Sequence, residues 1–419
     1  MSGTGLDESW LPGRALVVGL GWTGRAAALA LARRGVAVVA ADRSADADGE
    51  AGRLAEAGVE LRLGSEEESL LDGVELLVKA PGVPGESPLP AAARARGVPI
   101  WSEVELGYRL LRDNPVVGVT GTKGKTTTVR LLGAIFDTAG RPAVLAGNEH
   151  VPLSEAAESV EPGTWVVCEL SSFALEDVQT LACEVAVLLN VEPDHLDRYD
   201  SFESYRAAKL RIFERARTRV VPRGSGLDGI EFGADDPLPA EPTMPGAHNR
   251  ENAAAATAAA RAAGIPDEAI AAGLRTFAGV PHRLETVREL HGVRWVDDSK
   301  ATNTAAAARG AAAFAEPLRL ILGGSLKGED FGPFARDLPA NVRAIYLVGV
   351  ASDELAAALD AAGRDYVRAG DLPTAVSRAA AEADPGDVVL LSPACASYDQ
   401  YDNFERRGEH FRALVEALA

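Results

Sequence analysis

The stretch GVTGTKGKTTTVRLL, Gly118 to Leu132, decides how the rest of the chain is read. An apolar strand runs into a glycine-containing loop, and a helical pattern follows it. Gly121 and Gly124 let the backbone curl its N–H groups around phosphates, Lys125 reaches for β and γ oxygens, and Thr126 offers a hydroxyl to Mg²⁺. The common phosphate-loop pattern G-x-x-x-x-G-K-[ST] has a glycine where this chain has Val119. The loop is therefore a variant, and its surroundings must identify the ATP chemistry it serves. Lys123 is read as a surface neighbour inside it.

A second glycine-rich turn lies upstream, in RALVVGLGWTGRAAALALARRGVAVVAADR. Gly19, Gly21 and Gly24 form G-x-G-x-x-G between a strand and a helix, and Asp42 ends the next strand. Such a turn lets backbone approach a pyrophosphate at a helix N-terminus and sets an acid near a ribose hydroxyl. An NAD-dependent oxidoreductase fits that turn. A binder of UDP-linked compounds, which carry the same pyrophosphate, fits it as well.

The whole chain has 419 residues and is 47% apolar, enough for two or three cores. A formal charge of −19 disfavours nucleic acid and stable association with anionic membranes, so anionic ligands must meet locally placed cations. Cys168, Cys183 and Cys395 lack CxxC spacing and read as buried, reduced thiols. With neither a leader-like opening nor an uncharged apolar span, the expectation is a cytoplasmic protein. Of 42 basic residues only those at 79, 123, 125, 209, 300 and 327 are lysine. In a chain that builds its positive surface from arginine, a retained lysine suggests a position that needs a compact, deprotonatable amine.

Apolar runs alternate with amphipathic helical patterns, which predicts α/β architecture. Three domains are expected: an N-terminal Rossmann-like domain over 1–111, a central P-loop ATPase-like parallel sheet over 112–280, and a C-terminal Rossmann-like domain over 281–419. The Pro- and Gly-rich segment from Pro222 to Gly246 reads as surface loops. TWVVCEL ends a strand with Glu169, a natural Mg²⁺ ligand, and VAVLLNVEPDH ends another with His195. In DSFESYRAAKLRIFERA, Asp200 is the expected N-cap, and Phe202, Tyr205, Lys209, Ile212 and Phe213 share one face. Lys209 thus points inward, either as an ion-paired cation or as an amine neutralised by burial.

The motifs GLGWTG, APGVP, SEVELGYR, GTKGKTT, ELSSFALE, NVEPDHLDRY, YRAAKLRIFE, HNRENAAAA, PHRLE, DDSKATN, GGSLKGEDF and SPACASYDQYDNFERRG, in this order, resemble those of the Mur ligases along nearly the whole chain. That family writes its loop G-T-x-G-K-[ST], which accounts for Val119. The resemblance implies UDP-N-acetylmuramoyl-L-alanine and glutamate as substrates, joined in an ATP-dependent amide ligation; a monomer with no nucleic-acid partner and no stable membrane association is expected. It implies that Gly21, Trp22, Thr23, Asp42, Arg43 and Gly82 hold the UDP moiety, with Asn148 and Ser171 on the substrate side. ATP would lie on Gly121, Thr122, Lys123, Gly124, Lys125, Thr126 and Thr127, with Asn249, Asn252, Arg283 and Asp298 around the nucleotide. Two Mg²⁺ ions are implied, held by Thr126, Glu169, His195 and a CO₂-derived carbamate on Lys209.

In the C-terminal domain Asp298, Lys300 and Thr302 would lie near the phosphates and the incoming amino acid, while Lys327, Ser397 and Phe404 would hold glutamate. The implied chemistry is phosphorylation of the alanyl carboxylate, attack of the glutamate amine with His195 or a water taking its proton, and closure of the C-terminal domain. A folate-polyglutamylating ligase and a ligase specific for L-glutamate are the alternatives. One departure stands out: after Gly147 and Asn148 the family has Ile or Leu and then Gly, where this chain has Glu149 and His150. Lys79 finds no role.

Overall fold

The computed structural model describes residues 9–45, 51–195, 198–244, 246–326 and 328–419, so the expectation at Lys327 lies outside the described residues. Strands β1 (Arg14–Val18), β2 (Ala37–Asp42), β3 (Glu60–Leu63), β4 (Leu76–Lys79) and β5 (Ile100–Ser102) form a first, all-parallel sheet in the order β3-β2-β1-β4-β5. Its apolar runs are buried on both faces, as parallel strands require. The helix Trp22–Ala32 packs so closely on the preceding turn that a Cβ on Gly24 would be driven into the Gly19 carbonyl.

The second sheet holds β6 (Val116–Thr120), β7 (Ala143–Gly147), β8 (Trp165–Glu169), β9 (Val185–Leu188), β10 (Thr218–Pro222) and β11 (Ile230–Phe232). The order is β11-β10-β9-β6-β8-β7, again parallel. Because β6 lies between β8 and β9, the loops after these three strands open at one edge, where the strand order reverses and ligands of such sheets bind. The expectation that Pro222 to Gly246 holds only loops is corrected here. Ile230–Phe232 extends the sheet edge, and Phe232 is buried against it.

The third sheet comprises β12 (Glu285–Leu290), β13 (Val293–Asp297), β14 (Leu318–Gly323), β15 (Val342–Val348), β16 (Val367–Gly370) and β17 (Val388–Leu391), in the order β12-β13-β17-β14-β15-β16. Here the expected Rossmann-like parallel pattern is broken at one edge. β12 runs antiparallel to β13, and His291 and Gly292 in the hairpin turn have φ of 51° and 77°. Among the described residues no helix is long and apolar enough to cross a membrane.

The chain divides into two compact units, Met1–Thr243 with Ala247–Phe277, and Met244–Gly246 with Ala278–Ala419. The first unit contains the first two sheets, and buried charge joins them. In SEVELGYR, Glu103 accepts hydrogen bonds from the Ser154 N–H and hydroxyl, both at 2.7 Å. Glu105 accepts from the Gln179 N–H at 2.8 Å, the Thr180 N–H at 2.9 Å and the Thr180 hydroxyl at 2.6 Å. Burial pushes both carboxyls up, but the donors around Glu105, Arg109 among them, outweigh it and hold that group below the ordinary range. Lys79, at the end of β4, is 1% exposed; its Nζ lies 3.2 Å from Glu176 and 3.3 Å from Asp177 of the second sheet's layer, and donates to the Val83 carbonyl at 3.2 Å. Its retention as lysine is thereby explained by structure.

Candidate active site

The phosphate loop follows β6, and Lys125 begins the helix Lys125–Thr138. Gly124 has φ 83°, a left-handed conformation that favours glycine, and a Cβ there would strike the Asn252 side-chain oxygen. Lys125 Nζ donates to the carbonyls of Gly121 (3.0 Å) and Thr122 (3.2 Å), so its ammonium rests over its own loop. Thr126 and Thr127 are buried at the helix start, as are Asn249 and Asn252 on the helix Ala247–Ala262. Lys123 is exposed and pairs with Glu192, while its N–H and that of Thr122 are taken by the side-chain oxygen and carbonyl of Asn190.

Glu169 ends β8 and is 1% exposed. Burial raises its pKa, Lys125 opposes this, and Thr126 and Asn148 lie within hydrogen-bonding reach. Its Oε2 is buried with no hydrogen-bond partner among the described residues, a placement that calls for a cation or a ligand donor. A buried carboxylate oxygen beside a helix-starting threonine hydroxyl is a donor pair that suits Mg²⁺, and the phosphate-loop lysine next to them suits the charge of a nucleotide.

Lys209 lies on the helix Phe202–Leu210, whose N-cap is Ser201 rather than the expected Asp200. Ser201 and Ser204 close a reciprocal capping box, and a hydroxyl at that position leaves Asp200 outside the helix. The inward face is as expected, with Tyr205, Lys209, Ile212 and Phe213 buried and Phe202 half-buried. Lys209 Nζ donates to the Gly121 carbonyl at 2.9 Å, which puts the amine under the phosphate loop, and lies 4.6 Å from the Tyr205 ring centre. Burial first, and the positive field of Lys125 second, lower its pKa to about 7, against a smaller opposing effect of Asp194.

His195 has φ 54° and an exposed ring 4.9 Å from that of Phe173. Phe173 stacks on Tyr199 at 5.7 Å, Tyr199 meets Tyr205 edge-on at 5.3 Å, and the Tyr205 hydroxyl is 3.0 Å from that of Thr122. Phe173 and Tyr199, which sequence reading did not select, and Tyr205 of the inward face connect the His195 segment with the phosphate loop. Arg198 covers Phe173 and donates to the Gly82 carbonyl at 3.4 Å. Ser171 is a helix cap whose hydroxyl accepts the Ala174 N–H, and the Asn148 amide reaches Glu169 at 3.5 Å.

At the first sheet, Asp42 accepts the Leu20 N–H at 2.6 Å and the Ser44 N–H at 2.8 Å, so this carboxylate holds the glycine turn in shape. Trp22 is 52% exposed beside Gly21, Arg43 and Gly82 are exposed, and Thr23 is half-buried.

In the second unit, the loops after β13 and β17 and the last residue of β14, Gly323, meet around one side chain. Arg407, 2% exposed in the helix Phe404–Glu416, donates to Ser299 Oγ (2.9 Å) and to the carbonyls of Ser299 (2.9 Å), Cys395 (3.1 Å) and Ala396 (3.1 Å). Burial lowers its pKa to about 10, which leaves it charged at neutral pH. Asp298 is buried, accepting from the Ser392 hydroxyl at 2.7 Å and the Leu284 N–H at 3.3 Å, and burial raises it to about 7 against those donors. His282 Nδ1 is 2.7 Å from Asp297, a hydrogen bond that raises the histidine's pKa against its burial, and the His282 carbonyl accepts the Lys300 N–H at 3.0 Å. Lys300 lies over the Phe404 ring, Thr302 and Arg283 are half-buried, and Ser397 is buried. His282, Asp297, Ser299 and Arg407 escaped selection although all stand in quoted motifs; an arginine on the apolar face of the last helix was the available signal.

A glycine-turn sheet, a variant phosphate loop with a buried acid and lysine, and a mixed third sheet define a multidomain ligase of the Mur type. Family models agree: the Mur ligase MurD-like N-terminal domain matches residues 13–102, the Mur ligase middle domain 119–224, and the Mur ligase glutamate ligase domain 282–395. The chain belongs to the Mur ligase family. It is 42% identical, over 97% of its length and 98% of the relative's, to the UDP-N-acetylmuramoylalanine–D-glutamate ligase of Anaeromyxobacter dehalogenans (strain 2CP-C). To the enzyme of the same name from Sphingopyxis alaskensis (strain DSM 13593 / LMG 18877 / RB2256) it is 41% identical, with 97% of each covered. Among solved structures, the fold is shared with the UDP-N-acetylmuramate-alanine ligase of Thermotoga maritima, at a TM-score of 0.59 and 20% identity over 96% of this chain and 99% of that one.

Proposed function

We propose that the chain is an ATP-dependent ligase that adds D-glutamate to UDP-N-acetylmuramoyl-L-alanine through an acyl phosphate, in the making of peptidoglycan precursors in the cytoplasm. The reading rests on full-length likeness to ligases of that name and on one arrangement above all. Lys125, Glu169 and Lys209 converge on the phosphate loop, with Lys209 Nζ 2.9 Å from the Gly121 carbonyl. A carboxylate is a poor acyl donor, and transfer of the γ-phosphoryl group of ATP makes it reactive. Lys125, turning from its own loop carbonyls to the incoming phosphates, stabilises the charge on the moving group. The loop from Gly121 to Thr127 cradles the phosphates through backbone N–H groups other than those of Thr122 and Lys123, which Asn190 holds, and Asn249 and Asn252 flank the nucleotide.

Thr126, Glu169, His195 and a carbamate on Lys209 would hold Mg²⁺, whose part is to neutralise phosphate charge. Lys209 suits carbamylation because burial leaves much of its amine neutral. His195, or a water beside it, takes the proton of the attacking amine. Gly21, Trp22, Thr23, Asp42, Arg43 and Gly82 are proposed for the UDP moiety, with Asn148 and Ser171 nearer the muramoyl part. Arg283, Asp298, Lys300, Thr302, Lys327, Ser397 and Phe404 are proposed for nucleotide and glutamate, and domain borders near residues 111 and 280 are proposed with them.

The test is phosphate release from ATP with UDP-N-acetylmuramoyl-L-alanine and either glutamate enantiomer. Release that requires both substrates and D-glutamate is expected. No release, or equal release with L-glutamate, overturns the assignment.

A further inference from the structure

The departure at Glu149 and His150 falls beside the buried acid of the phosphate site. His150 is 9% exposed, and its Nε2 lies 3.6 Å from Glu169 Oε2, the buried oxygen that has no hydrogen-bond partner among the described residues. The backbone fixes this approach. The Asn148 N–H donates to the Glu169 carbonyl at 3.1 Å, the His150 N–H closes a turn on the Gly147 carbonyl at 2.9 Å, and the Gly147 N–H donates to Val151 at 2.9 Å. Gly147 itself has φ 96° and no room for a Cβ, which would be driven into the Glu169 carbonyl. The turn that carries His150 is thus tied to the backbone of the residue it faces.

Two ligand atoms about 2.1 Å from one ion stand about 3.0 Å apart at a right angle and about 3.4 Å at the tetrahedral angle. A shift of a few tenths of an ångström therefore brings His150 Nε2 and Glu169 Oε2 onto a single divalent ion. We propose that His150 supplies a nitrogen ligand at the Glu169 metal position, and that the site consequently favours a first-row transition ion such as Mn²⁺ over Mg²⁺. The inference rests on the ligase reading for the presence of a metal there. The nitrogen ligand is additional to the donors that the family resemblance implies. Its chemistry is general: Mg²⁺ holds oxygen donors and gains little from imidazole, whereas transition ions gain affinity from a nitrogen.

The experiment uses the full chain with Mn²⁺ and a non-hydrolysable ATP analogue, read by electron spin-echo modulation from imidazole nitrogen. To remove the histidine expected from the family, it is done on His195→Ala. Nitrogen modulation that survives in His195→Ala and disappears in His195→Ala/His150→Ala is expected. In an otherwise unchanged chain, His150→Ala should weaken Mn²⁺ binding roughly tenfold and Mg²⁺ binding less than twofold, a five- to tenfold change in selectivity or about 1–1.4 kcal/mol. Modulation absent from His195→Ala, or an unchanged Mn²⁺ to Mg²⁺ ratio in His150→Ala, overturns the proposal. If His150→Ala fails to fold, His150→Gln, which keeps bulk and offers oxygen, carries the same comparison. Phosphate release by the unaltered protein with Mg²⁺ separates failure of this inference from failure of the ligase reading.

Discussion

Replacing Lys209, or depriving it of CO₂, tests the site most directly. With its pKa lowered to about 7, about three-quarters of the amine is neutral at pH 7.5, against about one part in a thousand for an ordinary lysine. Carbamate forms from the neutral amine, so the site gains on the order of 10³ in reactive species from burial and the nearby Lys125 alone. The sign follows: carbamylation should grow as pH rises through about 7, well below the range in which surface lysines respond. In the uncarbamylated protein the folded state resists protonation of this amine, so its contribution to stability improves as pH climbs from 7 towards 10.5. The assay is carbon NMR with labelled bicarbonate over a pH series, alongside turnover in CO₂-depleted buffer before and after bicarbonate is restored. Lys209→Arg should keep the fold and lose most turnover, because a guanidinium does not deprotonate. A carbamate signal that appears only near pH 10, or full turnover in Lys209→Arg, refutes the reasoning.

Lys79→Met strips the shared cation from Glu176 and Asp177. Breaking a buried pair costs about 3–5 kcal/mol, and because Arg94 also reaches Asp177 at 3.5 Å the loss should be nearer 2–4 kcal/mol, measured by denaturant unfolding and largely restored when Glu176→Gln and Asp177→Asn are added. Asp298 should make stability fall as pH rises from about 4 to about 7 and level off above, since the folded carboxyl keeps its proton where the unfolded one has lost it. The whole effect is at most about 4 kcal/mol, and comparing Asp298→Asn with the parent at pH 5 and pH 8 should show the slope abolished. Gly124→Ala should cost about 1–2 kcal/mol from the left-handed backbone and displace Asn252, so calorimetric ADP affinity should fall at least tenfold while affinity for the UDP-linked substrate holds. Arg407→Met should raise KM for glutamate far more than KM for ATP, because it leaves the Ser299, Cys395 and Ala396 carbonyls without their donor.

Patterns confined to a short window were readable in the sequence. The two glycine turns, the strand-ending Glu169 and the inward face of Lys209 each depend on residues within a few turns of one another, and local periodicity carries that information. Tertiary partnerships were not readable. Lys79 and Glu176 are 97 positions apart, and Ser299 and Arg407 108 apart, and no pattern in one segment names its partner in another. The strand Ile230–Phe232 was hidden because it is three residues long, lies at a sheet edge and buries only Phe232. The antiparallel β12 was hidden because hairpin and crossover sheets share the same strand-forming residues, and the His291-Gly292 turn lacks the Asn-Gly or Asp-Gly that usually announces it.

Glu103 and Glu105, clasped by backbone donors of the neighbouring layer, make one platform of Met1–Thr243 with Ala247–Phe277 rather than two loosely tethered lobes. A protein cut after Phe277 should accordingly survive as a stand-alone fold that keeps the glycine turn and the phosphate loop, the two sites proposed for nucleotides. Such a truncated protein would let inhibitors of the two proposed nucleotide sites be sorted from those that compete with the amino acid, by ligand capture alone and without any turnover.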